Sequence, residues 1–327
     1  MERNKALDAT KYLLIVLVVV GHFIEPSRYS NPISCCLYCV IYSFHMPLFI
    51  MISGYLFKQR KFTEEIKKCV PFLEVCLLCH IGFLFIQQGL NISIKKILFF
   101  GDPAWYLLSL IYWRIGTNIL LKRFKIKHIL AIAILLDLIS FCVIKYGSFL
   151  ALARTISFYP FFLLGYCLKD KIDVIFQKYR NLFLIIGGIS LAVVICTSSI
   201  LQFKTEFQSM SVFDLKQFTD LNTLAIFAYR YVLLLCALSI GGMFYMMVHS
   251  NSLLLYFSEY GKNTLFIYFI QSWALAIIGK FEILLWQSLC LALIAIPIFT
   301  YLSQLRYATY IMHPISCVSR LFRNKEM

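Results

Sequence analysis

The stretch Asp8-Ala9-Thr10-Lys11-Tyr12-Leu13-Leu14-Ile15-Val16-Leu17-Val18-Val19-Val20-Gly21-His22-Phe23-Ile24-Glu25 decides how the rest of the chain is read. It has a polar start, an aliphatic middle, and a histidine where a membrane crossing should be finishing. At about 100° per residue, Asp8, Lys11, Ile15, Val18, His22 and Glu25 fall on one helical stripe. Lys11 and His22 then lie roughly 16 Å apart along the axis and only about 20° apart around it. Ionisable groups inside a bilayer are costly and turn toward a protein interior or a wet cavity. This stripe is therefore the first candidate site.

Composition supports a membrane reading. Of 327 residues, 61% are hydrophobic and 14% charged, and the mean hydropathy is +0.79. Repeated apolar stretches of about 20 residues mean transmembrane helices, and with so little chain between them the expectation is one integral membrane domain. The net charge is +15, but no basic groove-binding segment exists, so nucleic acid is not an expected partner. The charge reads instead as topology. Most of the 12 cysteines lie inside apolar runs, where they behave as small apolar residues. Cys35, Cys36 and Cys39 sit near one helix end and could oxidise, though nothing requires it. Cys76-Leu77-Leu78-Cys79-His80 matches a haem-attachment pattern, a reading its place within an apolar helix argues against. No metal is called for. Basic residues before a short apolar run could also read as a signal peptide, but Asp8 and Lys11 interrupt the run and no small-residue cleavage site follows, so the helix is expected to be retained.

Ten spans are expected, at about 9–25, 34–57, 69–88, 104–121, 128–146, 149–168, 181–201, 223–248, 263–280 and 282–302, followed by a basic tail, 303–327. Alternate loops hold Lys58, Arg60, Lys61, Lys67 and Lys68; then Lys122, Arg123, Lys125 and Lys127; then Lys169, Lys171, Lys178 and Arg180. The tail adds Arg306, Arg320, Arg323 and Lys325. The opposite loops are poorer in lysine and arginine. By the positive-inside rule both termini are cytoplasmic, which an even number of spans requires. The longest outer loop, about 202–222, carries Glu206, Asp214 and Asp220. No internal repeat is visible, which weakens a transporter reading.

Span two contains Phe44-His45-Met46-Pro47-Leu48-Phe49, then Ser53-Gly54-Tyr55. Pro47 frees a carbonyl one turn back and should kink the helix, with His45 about mid-membrane beside it. Two histidines in the first two spans could then face one another. Asp137, alone in span five, could pair with an arginine, and Asn263 is expected to hydrogen-bond at a helix start.

These segments carry a family resemblance. Lys11 and His22-Phe23, the Phe44–Phe49 run and Ser53-Gly54-Tyr55 resemble the start of the acyltransferase-3 family, ten-helix membrane proteins that acylate, most often O-acetylate, cell-surface glycans. The resemblance continues at Pro103-Ala104-Trp105-Tyr106-Leu107, at Arg154 with Phe158-Tyr159-Pro160-Phe161-Phe162-Leu163-Leu164-Gly165, and at Gly261-Lys262-Asn263-Thr264-Leu265 with Ile267-Tyr268. It departs in two places. A basic pair that is usually arginine-containing appears as Lys67-Lys68 before Pro71, which keeps charge but loses the bidentate fork. Gln271 stands where many relatives have a histidine.

The resemblance implies an acyl-CoA donor, in the first instance acetyl-CoA, whose nucleotide end is anionic and cytoplasmic. Lys11, Lys67 and Lys68 could hold its phosphates at the inner face, while the thioester reaches up toward His22. A neutral imidazole could take the proton from a sugar hydroxyl or accept the acyl group covalently, and the sequence leaves both open. Glu25 could orient the ring, His45 could assist, and Arg154, Trp105 and Tyr106 could line an acceptor site. The expected protein is an all-α O-acyltransferase of the bacterial cytoplasmic membrane, acting on an envelope polysaccharide or lipid-linked glycan. The rivals are a flippase or transporter of glycolipid intermediates, and transfer of succinyl or another acyl group.

Overall fold

A computed structural model describes residues 4–143, 148–169, 171–201 and 222–312. The expected outer loop around Phe207 and most of the basic tail lie outside them. The described chain folds into α1 (Lys5–Ile24), α2 (Pro32–Leu56), α3 (Phe62–Gln88), α4 (Ile94–Leu98), α5 (Trp105–Leu120), α6 (Ile126–Val143), α7 (Leu152–Cys167), α8 (Ile172–Lys178), α9 (Arg180–Leu201), α10 (Thr223–Ser250), α11 (Ser252–Leu255), α12 (Thr264–Ile278), α13 (Leu285–Gln304) and α14 (Arg306–Met312). Two 3-10 segments, Glu25–Tyr29 and Tyr256–Lys262, follow α1 and α11. No β-strand occurs among the described residues beyond one isolated antiparallel bridge, Phe99 to Phe149. Each of the ten expected apolar segments overlaps one of these helices. Six of the helices are long and apolar enough to cross a membrane, and α12 is shorter but equally apolar. The chain is a membrane protein.

The helices start where polar caps permit. The Asn4 side chain accepts from the Leu7 amide at the start of α1. The Asn31 side chain accepts from the Ile33 and Ser34 amides ahead of Pro32, a residue that fits the first turn because its missing N–H needs no partner there. Helix α3 begins well before the expected residue 69, because Glu64 and Glu65 suit a helix N-terminus and because buried Glu65 is held by two arginines. Its oxygens lie 2.6 Å from Arg114 and 3.5 Å from Arg60. Asn263 does not cap α12. Its amide donates instead to the Ser303 carbonyl at 2.9 Å, tying the start of α12 to the end of α13.

Helix α1 is central. It packs on α2, α12, α13 and the Tyr256–Lys262 segment, and 67% of its apolar window is buried, against 22% for α9 and α13. The exposed faces of α6, α9 and α13 carry apolar residues such as Ile134, Leu135, Ile185, Ile189, Leu293 and Ile294, a surface suited to lipid. The closest helix pair is α2 with α7. A Cβ added to Gly54 would collide with the Phe162 carbonyl, and one added to Gly165 with the Met51 carbonyl. The two backbones therefore meet through glycines, as membrane helices do where small residues line a contact. Pro47 lies inside α2, which continues past it to Leu56.

Asp137 finds the arginine its position calls for. Arg230, fully buried on α10, donates to Asp137 at 2.5 and 3.2 Å and to Ser157 of α7 at 3.1 Å, with Phe141 4.2 Å from its guanidinium carbon. This buried pair ties α6, α7 and α10 together.

Candidate active site

A cavity of about 500 Å³ opens beside the end of α1, and its lining includes His22, Glu25, Arg28, Tyr42, His45, Asp102, Trp105 and Arg154. Five of the nine residues singled out from sequence thus meet in one space: His22, Glu25, His45, Trp105 and Arg154. Tyr106 packs behind them, its hydroxyl 2.7 Å from Ser53 Oγ and its ring against Phe49 and Tyr268. Lys11, Lys67 and Lys68 do not line the cavity. The Lys11 ammonium lies 2.8 Å from Asp8 Oδ1, and the two lysines of α3 are exposed. On α1 the cavity wall runs from Glu25 down to Val18 and ends about two turns short of Lys11.

His22 is held from one side. Its Nδ1 lies 3.2 Å from Glu25 Oε2 and 2.9 Å from the Tyr42 hydroxyl, which itself donates to Glu25 Oε2 at 3.5 Å. A carboxylate only accepts, so the hydrogen belongs on Nδ1 and the lone pair on Nε2. The i, i+3 spacing of His22 and Glu25 brings them together across the end of the helix. His45 has the same tautomer for a different reason. Its Nδ1 donates to the Ile41 carbonyl at 2.7 Å, one turn back in α2. The Tyr42 ring stands between the two histidines, edge-on to both, with centroids 5.9 Å from His22 and 4.7 Å from His45. The histidines thus share a wall but do not touch.

The far wall comes from two loops fastened to each other. Phe100 N donates to Ser148 O and Leu150 N to Leu98 O, both at 2.8 Å, on either side of the Phe99–Phe149 bridge. Leu150 and Ala151 follow with φ of 46° and 55°, left-handed values that cost about 1–3 kcal/mol each and persist only where surroundings enforce them. This turn aims α7 so that the Arg154 guanidinium carbon lies 5.2 Å from the centre of the Trp105 ring.

Asp102 is a site residue the sequence reading passed over. Its Oδ1 accepts from the Ala104 amide at 2.8 Å and its Oδ2 lies 2.5 Å from His80 Nδ1, while His80 Nε2 is 3.0 Å from the Ile97 carbonyl. His80, set aside with the haem-like pattern, is thus a buried partner of a cavity carboxylate. Tyr42 was also missed, although Tyr38, Tyr42 and His45 recur at i, i+4, i+7 on α2, a spacing that marks one face. Arg28 faces Glu25 at 3.8 Å and lies over the rings of Tyr29 and Tyr38, each centred 4.5 Å from its guanidinium carbon.

A helical membrane chain with a tautomer-fixed histidine, an adjoining carboxylate and an arginine in one cavity is the class that fold and site define. Residues 4–308 match the acyltransferase-3 family, described as an acyltransferase domain, and the chain belongs to that family. It is similar to two curated proteins, each called Nodulation protein NolL. The one from Mesorhizobium japonicum is 28% identical over 221 residues, covering 59% of this chain and 56% of the relative. The one from Sinorhizobium fredii is 46% identical over 57 residues, 16% of each. The matched regions thus span less than two thirds of these relatives' length. No solved structure matches.

Proposed function

We propose that this protein is a membrane O-acyltransferase that moves an acetyl group from acetyl-CoA to a hydroxyl of an envelope or exported polysaccharide, with His22 as general base. The observation that carries the reading is the His22–Glu25–Tyr42 cluster, which engages Nδ1 and leaves Nε2 the lone pair on a histidine that lines a cavity of about 500 Å³. His22 Nε2 takes the acceptor's hydroxyl proton as its oxygen attacks the thioester carbonyl. The tetrahedral intermediate collapses, the C–S bond breaks, and the imidazolium returns the proton to the departing thiolate. Glu25, accepting from Nδ1, stabilises the imidazolium between these steps. Trp105 and Arg154, both in the cavity wall, would line the acceptor site, with Arg154 supplying a cation.

The same reading includes the topology: ten spans with both termini cytoplasmic, so that the donor is drawn from the cytoplasm. Lys11, Lys67 and Lys68 would meet its phosphates at the inner face, Lys11 by exchanging its Asp8 partner for the ligand.

The test is transfer of labelled acetyl from acetyl-CoA to surface glycan in membranes containing the protein, read by mass spectrometry for the added acetyl mass. His22→Gln keeps a hydrogen-bonding side chain but cannot act as a base, and it should abolish the product at unchanged membrane abundance. Near-normal acetylation by a stably inserted His22→Gln protein refutes the assignment. Product carrying a succinyl mass would change the donor and keep the mechanism.

A further inference from the structure

We infer that the acceptor carries a negative charge, a carboxylate or a phosphate on a sugar, and that Arg154 is the residue that reads it. This rests on the reading of the cavity as an acyl-acceptor site and narrows the substrate class. Two carboxylates line the cavity, and both are engaged elsewhere. Glu25 is committed to His22 and Tyr42 through Oε2 and faces Arg28 with Oε1. Asp102 spends one oxygen on the Ala104 amide and the other on His80. Arg154 is within electrostatic reach of both, yet among the described residues it forms no ion pair or hydrogen bond and rests only against Trp105.

A guanidinium part-way into a membrane protein is expensive to keep without a counter-ion. Here the two carboxylates within electrostatic reach have their oxygens engaged by other partners, so neither pairs with it directly. Trp105 and Arg154 both line the cavity, with the guanidinium carbon 5.2 Å from the ring centre, so the cation borders the space a ligand would fill. That geometry suits a planar, two-pronged hydrogen bond to a carboxylate or phosphate, which a lysine ammonium could not match. A neutral sugar would leave the cation unpaired. The left-handed turn at Leu150 and Ala151, and the bridge behind it, set the start of α7, the helix that carries Arg154, before any ligand arrives, which lowers the ordering cost of recognition.

The experiment measures binding without acetyl-CoA, so it stands apart from whether acyl transfer occurs. Purified full-length protein in nanodiscs is titrated with three disaccharides: a neutral one, its uronic acid counterpart, and its sugar-phosphate counterpart. Tryptophan fluorescence is the readout, with Trp105→Phe identifying the contribution of the ring under Arg154. In the wild type at least one charged probe should bind about tenfold or more tighter than the neutral one, the gain expected of a charge-assisted hydrogen bond. Which charged probe wins distinguishes carboxylate from phosphate. Arg154→Gln should reduce that probe to the neutral probe's affinity, and Arg154→Lys should keep part of the preference. Equal binding of charged and neutral probes by the wild type overturns the inference, as does failure of both charged probes to bind, or an unchanged preference in Arg154→Gln. If Arg154→Gln does not insert, the wild-type comparison and Arg154→Lys still decide. In a separate turnover assay, an equal loss of rate with neutral and charged acceptors would assign Arg154 to the reacting carbonyl and also overturn it.

Discussion

Replacing Glu25 with glutamine isolates the part of catalysis that depends on charge. The substitution is nearly isosteric and keeps an oxygen that can accept from His22 Nδ1 at the 3.2 Å separation seen here. It removes the negative charge that stabilises the imidazolium once His22 has taken the hydroxyl proton. A hydrogen bond to a charged partner contributes about 1.5–3 kcal/mol, against roughly 1 kcal/mol for a neutral one. At about 1.4 kcal/mol per factor of ten, removal of a charge-assisted bond slows the chemical step by roughly 10- to 150-fold. The remaining neutral bond offsets about 1 kcal/mol of this, leaving a net loss of about 0.5–2 kcal/mol, or roughly 2- to 30-fold. The glutamine can also present its NH₂ to Nδ1, which would move the ring hydrogen to Nε2 and silence the base, a failure that costs more. Single-turnover acetyl transfer in membranes, at saturating acetyl-CoA and with abundance matched by immunoblot, reads the step directly. A loss of several-fold to about thirtyfold is expected, with little change in apparent acetyl-CoA affinity. A Glu25→Gln protein within twofold of wild type, alongside an inactive His22→Gln, would show that the carboxylate neither orients nor stabilises the ring.

Tyr42→Phe should slow transfer less than Glu25→Gln, since Nδ1 keeps its carboxylate and loses only one neutral hydrogen bond of about 1 kcal/mol; a complete loss in the same assay would assign Tyr42 a direct part in proton transfer. Breaking the Asp137–Arg230 pair with Arg230→Met leaves a buried carboxylate unpaired and should cost about 3–5 kcal/mol, read as a large drop in thermal stability in detergent; an unchanged melting temperature refutes a stabilising pair. Gly54→Ala forces apart two touching backbones and should lower folded yield by fluorescence-detected size exclusion, whereas Gly116→Ala, where an added Cβ meets nothing, should not; equal yields would sink the packing argument. Lys67→Ala with Lys68→Ala should raise the acetyl-CoA concentration needed for half-maximal rate without changing the maximal rate, and an unchanged dependence removes those lysines from the donor site.

The helical architecture and the His22–Glu25 pair were legible because they follow from one element's period. A span is a run of apolar residues, and a histidine three residues before a glutamate at a helix end meets it whatever the rest of the fold does. Lys11 shows the limit of the same logic. Its register with His22 is real, but Asp8 sits equally well placed at i−3 and holds its ammonium, and a helical wheel cannot rank a ligand above a neighbour. Tyr42 and Asp102 were hidden for another reason. Tyr42 reaches His22 only through the mutual rotation of α1 and α2, which is set by packing and leaves no local mark. Asp102 and His80 are joined across a loop that turns back on its own helix, so neither residue's neighbours in sequence announce the other. The pairing of Asp137 with some arginine was foreseeable from cost alone; that the partner is Arg230, rather than Arg154 or Arg114, is tertiary information.

The glycine contact between α2 and α7 also determines which parts of the cavity can move. Where two helices meet through side chains, they can slide as rotamers readjust. Where backbone rests on backbone there is no such soft layer, and the pair behaves as a single rigid strut. His45 rides on one half of that strut and Arg154 on the other, so the helices that carry them move together. His22 and Glu25 stand where α1 ends and tightens into the Glu25–Tyr29 turn. A substrate entering this space meets one wall whose two helices are locked backbone to backbone, so a slide of α2 on α7 is not how the site adapts to it.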